Sequence, residues 1–203
     1  GKIVYHNSKV SSQVLDGINY YNSVRYMNSA CNKLYRKDFL INNNLFFLER
    51  IFIEDFEFNT RVFAKAKRVL ATDILVSQFL QSPDSITRNS DTSKKEKMVK
   101  DIIIVLQKTK DTYQSHSSSC DSAANNYFNE RLGFIVVILF FQLLKNKISY
   151  QEIKKVKQEL VKNDLFYVGN TVFQKNKDWF RKIMLRNVWL FRIAQPILNL
   201  YIK

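Results

Sequence analysis

The sequence predicts an α+β fold that is mainly α, with a few short strands in the first half and a helical bundle in the second. Three observations carry this expectation. Only four Gly and two Pro occur in 203 residues, too few for the turns of an all-β fold. Beyond residue 92, apolar residues recur almost throughout at helical spacing. The run Leu132–Leu144, LGFIVVILFFQLL, is apolar on every side except Gln142, as a helix at the centre of a bundle would be. It has about 13 residues where crossing a bilayer takes about 20, so a buried core helix is expected.

The elements follow in order. Residues 3–14 alternate loosely through Ile3, Tyr5 and Val10, as a strand or an edge segment would. Asp16 is placed to cap a short helix carrying Ile18, Tyr21 and Val24. A second short helix is expected to hold Leu34-Tyr35 and Phe39-Leu40, ended by the loop signal Asn42-Asn43-Asn44. After the apolar run Ile51-Phe52-Ile53 comes a helix over 56–67, with Phe58, Val62, Phe63 and Ala66 on one face. Residues 69–76 read as extended, and Ser82-Pro83-Asp84 as a turn.

The polar stretch NSDTSKKEK (89–97) marks a domain boundary, dividing the chain into 1–91 and 92–203. Thr92 or Ser93 is placed to cap the next helix, with Glu96 as its capping-box partner and Met98, Ile102, Val105 and Leu106 on its inner face. His116-Ser117-Ser118-Ser119 breaks it, and a helix over 121–145 contains the central apolar run. Ser149 caps another helix, with Ile153, Val156, Leu160 and Val161 expected inside and Asn163-Asp164 at its end. A last helical region spans 171–203, kinked near Pro196.

The net charge of +14 is unevenly spread, with +3 over residues 1–92 and +11 over 93–203. Such an asymmetry suits an anionic membrane surface, a nucleic acid or a polyanionic substrate, and also serves solubility. Nucleic acid is not expected: no DNA- or RNA-reading motif occurs, and Phe and Tyr follow core periodicity rather than interleaving with Lys and Arg. Cys31 and Cys120 match no metal spacing, which fits a reducing cytoplasm. His6 and His116 stand alone, and no Ser-His-Asp or Cys-His arrangement is legible.

The acidic pair Glu54-Asp55 is the centre of a longer pattern. It follows Asn32-Lys33-Leu34-Tyr35-Arg36 with Phe39-Leu40, is itself followed by Phe58, and precedes Ser85-Ile86 with Arg88. This order resembles the acceptor-side half of family 2 glycosyltransferases of the GT-A type, over about residues 4–89. Cys31 stands where that family often has Trp, and Phe79-Leu80-Gln81-Ser82 where it often has an Arg-rich stretch.

The resemblance implies an incomplete GT-A-like α/β segment over 1–91. It implies transfer of a sugar from a nucleotide-sugar donor to a saccharide or lipid-linked acceptor, with inversion, in cell-surface polysaccharide synthesis. The catalytic residues it implies are Asp55, as the base that takes the acceptor hydroxyl's proton, and Glu54, orienting Asp55 or raising its pKa. Asn32, Lys33, Tyr35, Ser85 and Arg88 would bind substrate: Lys33 on a phosphate or acidic sugar, Tyr35 stacked on a sugar ring, Ser85 and Arg88 closing over the site. The bland alternatives stay open: Asp55 as a favourable charge in a helix's first turn, 33–36 as a solvated helix face, 82–88 as a surface turn.

The family's nucleotide-binding strands and Asp-x-Asp motif lie upstream of the matched segment, and no Asp-x-Asp or Gly-rich phosphate loop occurs here. No cofactor is therefore assigned to these residues, and Mg²⁺ or Mn²⁺ is expected for the parent enzyme. Gly1 in place of Met reads as the remnant of a cleaved tag and the chain as an engineered fragment; without the nucleotide-binding half it is expected to be inactive by itself, with self-association through the apolar surface a lost half would leave.

The tail from Trp179 suggests either a core-packing helix with a basic outer face or peripheral contact with the inner face of the cytoplasmic membrane through 179–203. On a helical wheel Arg181, Lys182, Arg186 and Arg192 share one arc with Leu185 and Trp189, opposite Phe180, Met184, Val188 and Phe191. The competing function is a basic helical module binding an anionic membrane surface or a partner protein. Asp55 discriminates: open in a cleft for the enzyme, merely a helix cap for the module.

Overall fold

Helix α5, Ser122–Lys145, is the axis of the molecule. In the computed structural model, which describes residues 13–24, 29–74, 92–116, 121–170 and 172–201, its apolar run is covered on nearly all sides. Leu132, Ile135, Val136, Val137, Leu139, Phe140, Leu143 and Leu144 are buried, and only Phe141 opens to solvent. By length and composition α5 would pass for a membrane span, but most of its apolar surface is spent inside the protein. Each such side chain taken from water contributes roughly 1.5–3 kcal/mol. Asp121 starts the helix as expected, its Oδ1 accepting the Ala124 N–H at 2.8 Å.

Seven further helices accompany it among the described residues: α1 Gly17–Val24, α2 Lys37–Asn42, α3 Glu54–Lys65, α4 Thr92–His116, α6 Tyr150–Lys162, α7 Lys175–Phe180 and α8 Phe191–Tyr201. The fold is mainly helical, as predicted. Among the described residues strand pairing is limited to one antiparallel bridge, in which Leu15 and Val69 exchange backbone hydrogen bonds of 3.0 and 2.7 Å. Residues 3–12 and 75–76, the rest of the expected strands, lie outside the described residues, as does the 82–88 turn.

The bridge leads straight into α1. Asp16 caps it, its Oδ1 accepting the Asn19 N–H at 2.9 Å. Gly17 then lies directly on the end of α3: a Cβ there would fall 2.2 Å from the Phe63 carbonyl oxygen. Only glycine allows that approach.

The first and second halves share their cores. Phe56 of α3 packs with Ile102 of α4 and Leu132 of α5, and Tyr20, Tyr21 and Phe63 pack with Tyr127 and Phe128. The segments on either side of residue 92 thus bury apolar surface against one another.

Three local expectations are corrected. Leu34 and Tyr35 precede α2 rather than belonging to it, and Leu34 is 94% exposed, because the helix starts only at Lys37. Val161 points outward, since the buried stripe of α6 is the narrower one through Ile153 and Leu160. The tail is broken: α7 gives way to a widened turn over Arg181–Leu185, then a tight turn over Val188–Leu190, before α8, which contains Pro196. Arg181 and Leu185, assigned by the wheel to the solvent arc, are buried, while Met184, Val188 and Phe191 are buried as expected.

Candidate functional site

Asp55 owes its position to an unusual helix start. Ile53, the residue before α3, has φ 59° and ψ 30°, a left-handed conformation that a β-branched residue adopts only at a cost of about 1–2 kcal/mol. Arg50, three residues earlier, is left-handed too, at φ 58°. The turn is held from α4: Asp101 Oδ2 accepts the Phe52 N–H at 2.8 Å, and Lys97 donates to the Arg50 carbonyl. The consequence is that α3 begins at Glu54, with Glu54, Asp55 and Glu57 in its first turn, where the helix dipole favours negative charge.

Asp55 does not cap this helix. Its half-buried carboxylate instead reaches back 25 residues, Oδ2 accepting the Ala30 N–H at 3.1 Å. Among the described residues Oδ1 has no hydrogen-bond partner. Glu54 is exposed and makes no hydrogen bond to Asp55.

The 29–35 segment brings its own polar groups to the same place. Lys33 is half-buried, its ammonium donating to the Ser29 carbonyl and, at 3.0 Å, to Asn32 Oδ1. Burial pulls its pKa down to about 7, against the attraction of Asp55 and with added repulsion from Arg131. Asn32 therefore serves to hold Lys33. Tyr35 donates its hydroxyl to Asn59 Oδ1 at 3.0 Å, and Asn59 in turn donates to the Asp55 backbone carbonyl at 2.8 Å. The Tyr35 ring lies edge-on to Phe58 at 5.4 Å, within a small core of its own with Leu45 and Val62. Asp55, Lys33, Asn32 and Tyr35 thus come together, Glu54 stands at the edge, and Ser85 and Arg88 lie outside the described residues.

Behind this cluster is a layer of buried charge that sequence reasoning missed. Arg131 of α5 is fully buried, donating to Thr60 Oγ1 and the Phe56 carbonyl, both at 2.7 Å. Its guanidinium lies 4.0 Å from the Phe56 ring centroid and 5.0 Å from that of Tyr21. Glu130 beside it accepts from the Tyr21 hydroxyl at 2.7 Å and from the Phe173 N–H at 3.2 Å. Burial raises the Glu130 carboxyl above its ordinary value, against these hydrogen bonds and the Arg131 charge. The available signal was the Glu130-Arg131 pair just ahead of an apolar run, charges on a helix with no polar face to carry them.

A similar knot fixes the start of the tail. Burial works to raise Asp178, but hydrogen bonds from Lys182, the Val172 N–H and Arg181 outweigh it and hold the carboxyl at about 2. Compared with protein-family models, curated proteins and solved structures, the chain matches none.

Proposed function

We propose that the chain is the acceptor-side part of a sugar-transferring enzyme of the GT-A type, with Asp55 as its general base. The observation that carries the proposal is the state of the Asp55 carboxylate. One oxygen is fixed by the Ala30 amide, the other has no hydrogen-bond partner among the described residues, and a desolvated lysine stands near it. A helix-capping role would use that carboxylate on the α3 amides, and it does not.

A sugar hydroxyl is a weak nucleophile at neutral pH and needs its proton removed as it attacks. In the proposed step the acceptor oxygen bonds to the anomeric carbon, its proton passes to Asp55 Oδ1, and the nucleoside diphosphate leaves from the opposite face. Inversion follows from that single displacement. Lys33, with its proton loosely held, suits a phosphate or an acidic sugar, and its neutral form can pass protons on. Asn32 orients Lys33, and Tyr35 fixes the start of α3 through Asn59. Tyr35 is assigned this positioning role in place of sugar stacking, because its ring packs against Phe58.

A divalent metal would neutralise the leaving diphosphate. The sequence has no Asp-x-Asp, and among the described residues no three of His, Cys, Asp or Glu converge.

The test is release of nucleoside diphosphate by the protein at its natural full length, given a panel of sugar nucleotides, Mn²⁺ or Mg²⁺ and a cell-envelope lipid extract. Release that falls at least about a hundredfold in Asp55→Asn supports the base role, at the size usual for such catalysis. Equal release by both proteins, or consumption of no donor, overturns it.

A further inference from the structure

The geometry points to a binding site for anionic phospholipid at a membrane surface, in the groove between α6 and the broken tail. This groove, of about 520 Å³, is walled by Lys154, Lys157 and Lys162 from α6 and by Arg186 and Trp189 from the tail, with Tyr150 at one end. It is independent of the sugar-transfer proposal and shares no residue with the Asp55 cluster.

Charge is the first argument. Four cations line one groove, and no carboxylate lines it. Among the described residues none of the four makes an ion pair, whereas Lys155, on another face of α6, pairs with Glu152 at 2.6 Å. Like charges gathered without a counter-charge repel one another, and an anion between them relieves that repulsion.

Shape and apolarity select the anion. Trp189 is 56% exposed, although its neighbours Val188 and Phe191 are anchored in the core. Val161, also lining the groove, is 56% exposed, and Ile193, one turn beyond Trp189, is 53% exposed. A Trp among cations with aliphatic side chains beside it matches the layering of a membrane surface: cations at the phosphates, the indole at headgroup depth, aliphatics at the acyl boundary. A nucleic acid would use stacked aromatics instead and gains nothing from exposed Val161 and Ile193. The broken geometry of the tail is what makes this site. The breaks over 181–190 turn Arg181 and Leu185 inward and leave Arg186 and Trp189 facing α6.

The experiment is vesicle co-sedimentation at about 0.15 M salt, with phosphatidylcholine vesicles made with and without phosphatidylglycerol. Lys154→Gln with Arg186→Gln removes one exposed cation from each wall. Lys94→Gln with Lys100→Gln, exposed on α4, removes the same charge elsewhere. Each cation at an anionic surface contributes about fivefold, so the groove variant should bind phosphatidylglycerol vesicles about twenty-five-fold more weakly. The α4 variant should stay within about threefold of wild type, as charges far from the surface are screened. In a Trp179→Phe background the remaining Trp189 emission should shift to the blue on those vesicles. The proposal is overturned if wild type does not bind them, if the two double variants lose binding equally, or if Trp189 emission does not move. It is also overturned if the groove variant loses affinity for a single-stranded RNA while keeping its affinity for vesicles.

Discussion

Replacing Lys33 by Met measures how far the surroundings of Asp55 are removed from water. Burial brings the Lys33 ammonium from 10.5 to about 7, with Asp55 pulling the other way. The unfolded chain holds this proton up to its ordinary pKa, the folded chain only to about 7. Between those values unfolding takes up a proton, so stability rises with pH. The Lys33 contribution is therefore intact above 10.5 and is lost as pH falls toward 7. One proton changes stability by about 1.4 kcal/mol per pH unit, and with half titration at the lower end the gain from about pH 7 to about pH 9 is about 2 kcal/mol. Met has no proton to take up. The unfolding free energy of Lys33→Met minus that of wild type should thus fall by about 2 kcal/mol over that interval, measured by urea unfolding followed by circular dichroism. Taking the difference cancels other groups titrating in the same range, Lys177 among them, whose pKa burial lowers to about 8 against the pull of Glu130. Parallel curves for the two proteins would refute the reasoning: Lys33 would then be a solvated lysine, and Asp55 would sit in an ordinary aqueous surface.

Two further substitutions test the buried polar contacts. Asp178→Asn should cost about 2 kcal/mol at neutral pH, since the carboxyl falls from 3.8 to about 2 on folding. That stability is present above the unfolded value and lost as pH falls through about 2, so the deficit should shrink by about 1 kcal/mol between about pH 5 and about pH 3 in urea titrations; a constant deficit would speak against it. Tyr21→Phe removes the hydroxyl that donates to buried Glu130 and should lower unfolding free energy by about 1–3 kcal/mol. An unchanged urea midpoint would show that Glu130 is satisfied without it.

What was legible in the sequence was local. Asp16 and Ser149 are legible as caps from residue type and position, and each accepts a hydrogen bond from the amide three residues on; Asp121, where a helix start is expected, does the same. The α5 run was read as buried because no side of it is polar. The errors arose where a buried contact or a break in the helix, rather than the local pattern, decides the outcome. Arg181 has the composition of a surface residue, yet Asp178 and the Val168 carbonyl bind it inside. Nothing near Glu130 in the sequence announces Tyr21, 109 residues earlier. The wheel that placed Leu185 among the cations assumed an unbroken helix, and the widened turn at Arg181–Leu185 changes the angle per residue. At the candidate site the sequence offered Asp55 as base or as a first-turn charge; it does lie in the first turn of α3, and the contact with Ala30 that fixes one of its oxygens is one that only the folded chain creates.

The most direct measurement compares Asp55→Asn with Glu54→Gln in the full-length protein, following nucleoside diphosphate release and the urea midpoint of each variant together. General-base chemistry at Asp55 predicts a loss of at least about a hundredfold for Asp55→Asn with folding retained, and a change of only a few-fold for the exposed Glu54→Gln. Equal activity of Asp55→Asn and wild type, or a loss matched by unfolding of the variant, would contradict it and leave Asp55 as the residue that ties Ala30 to α3.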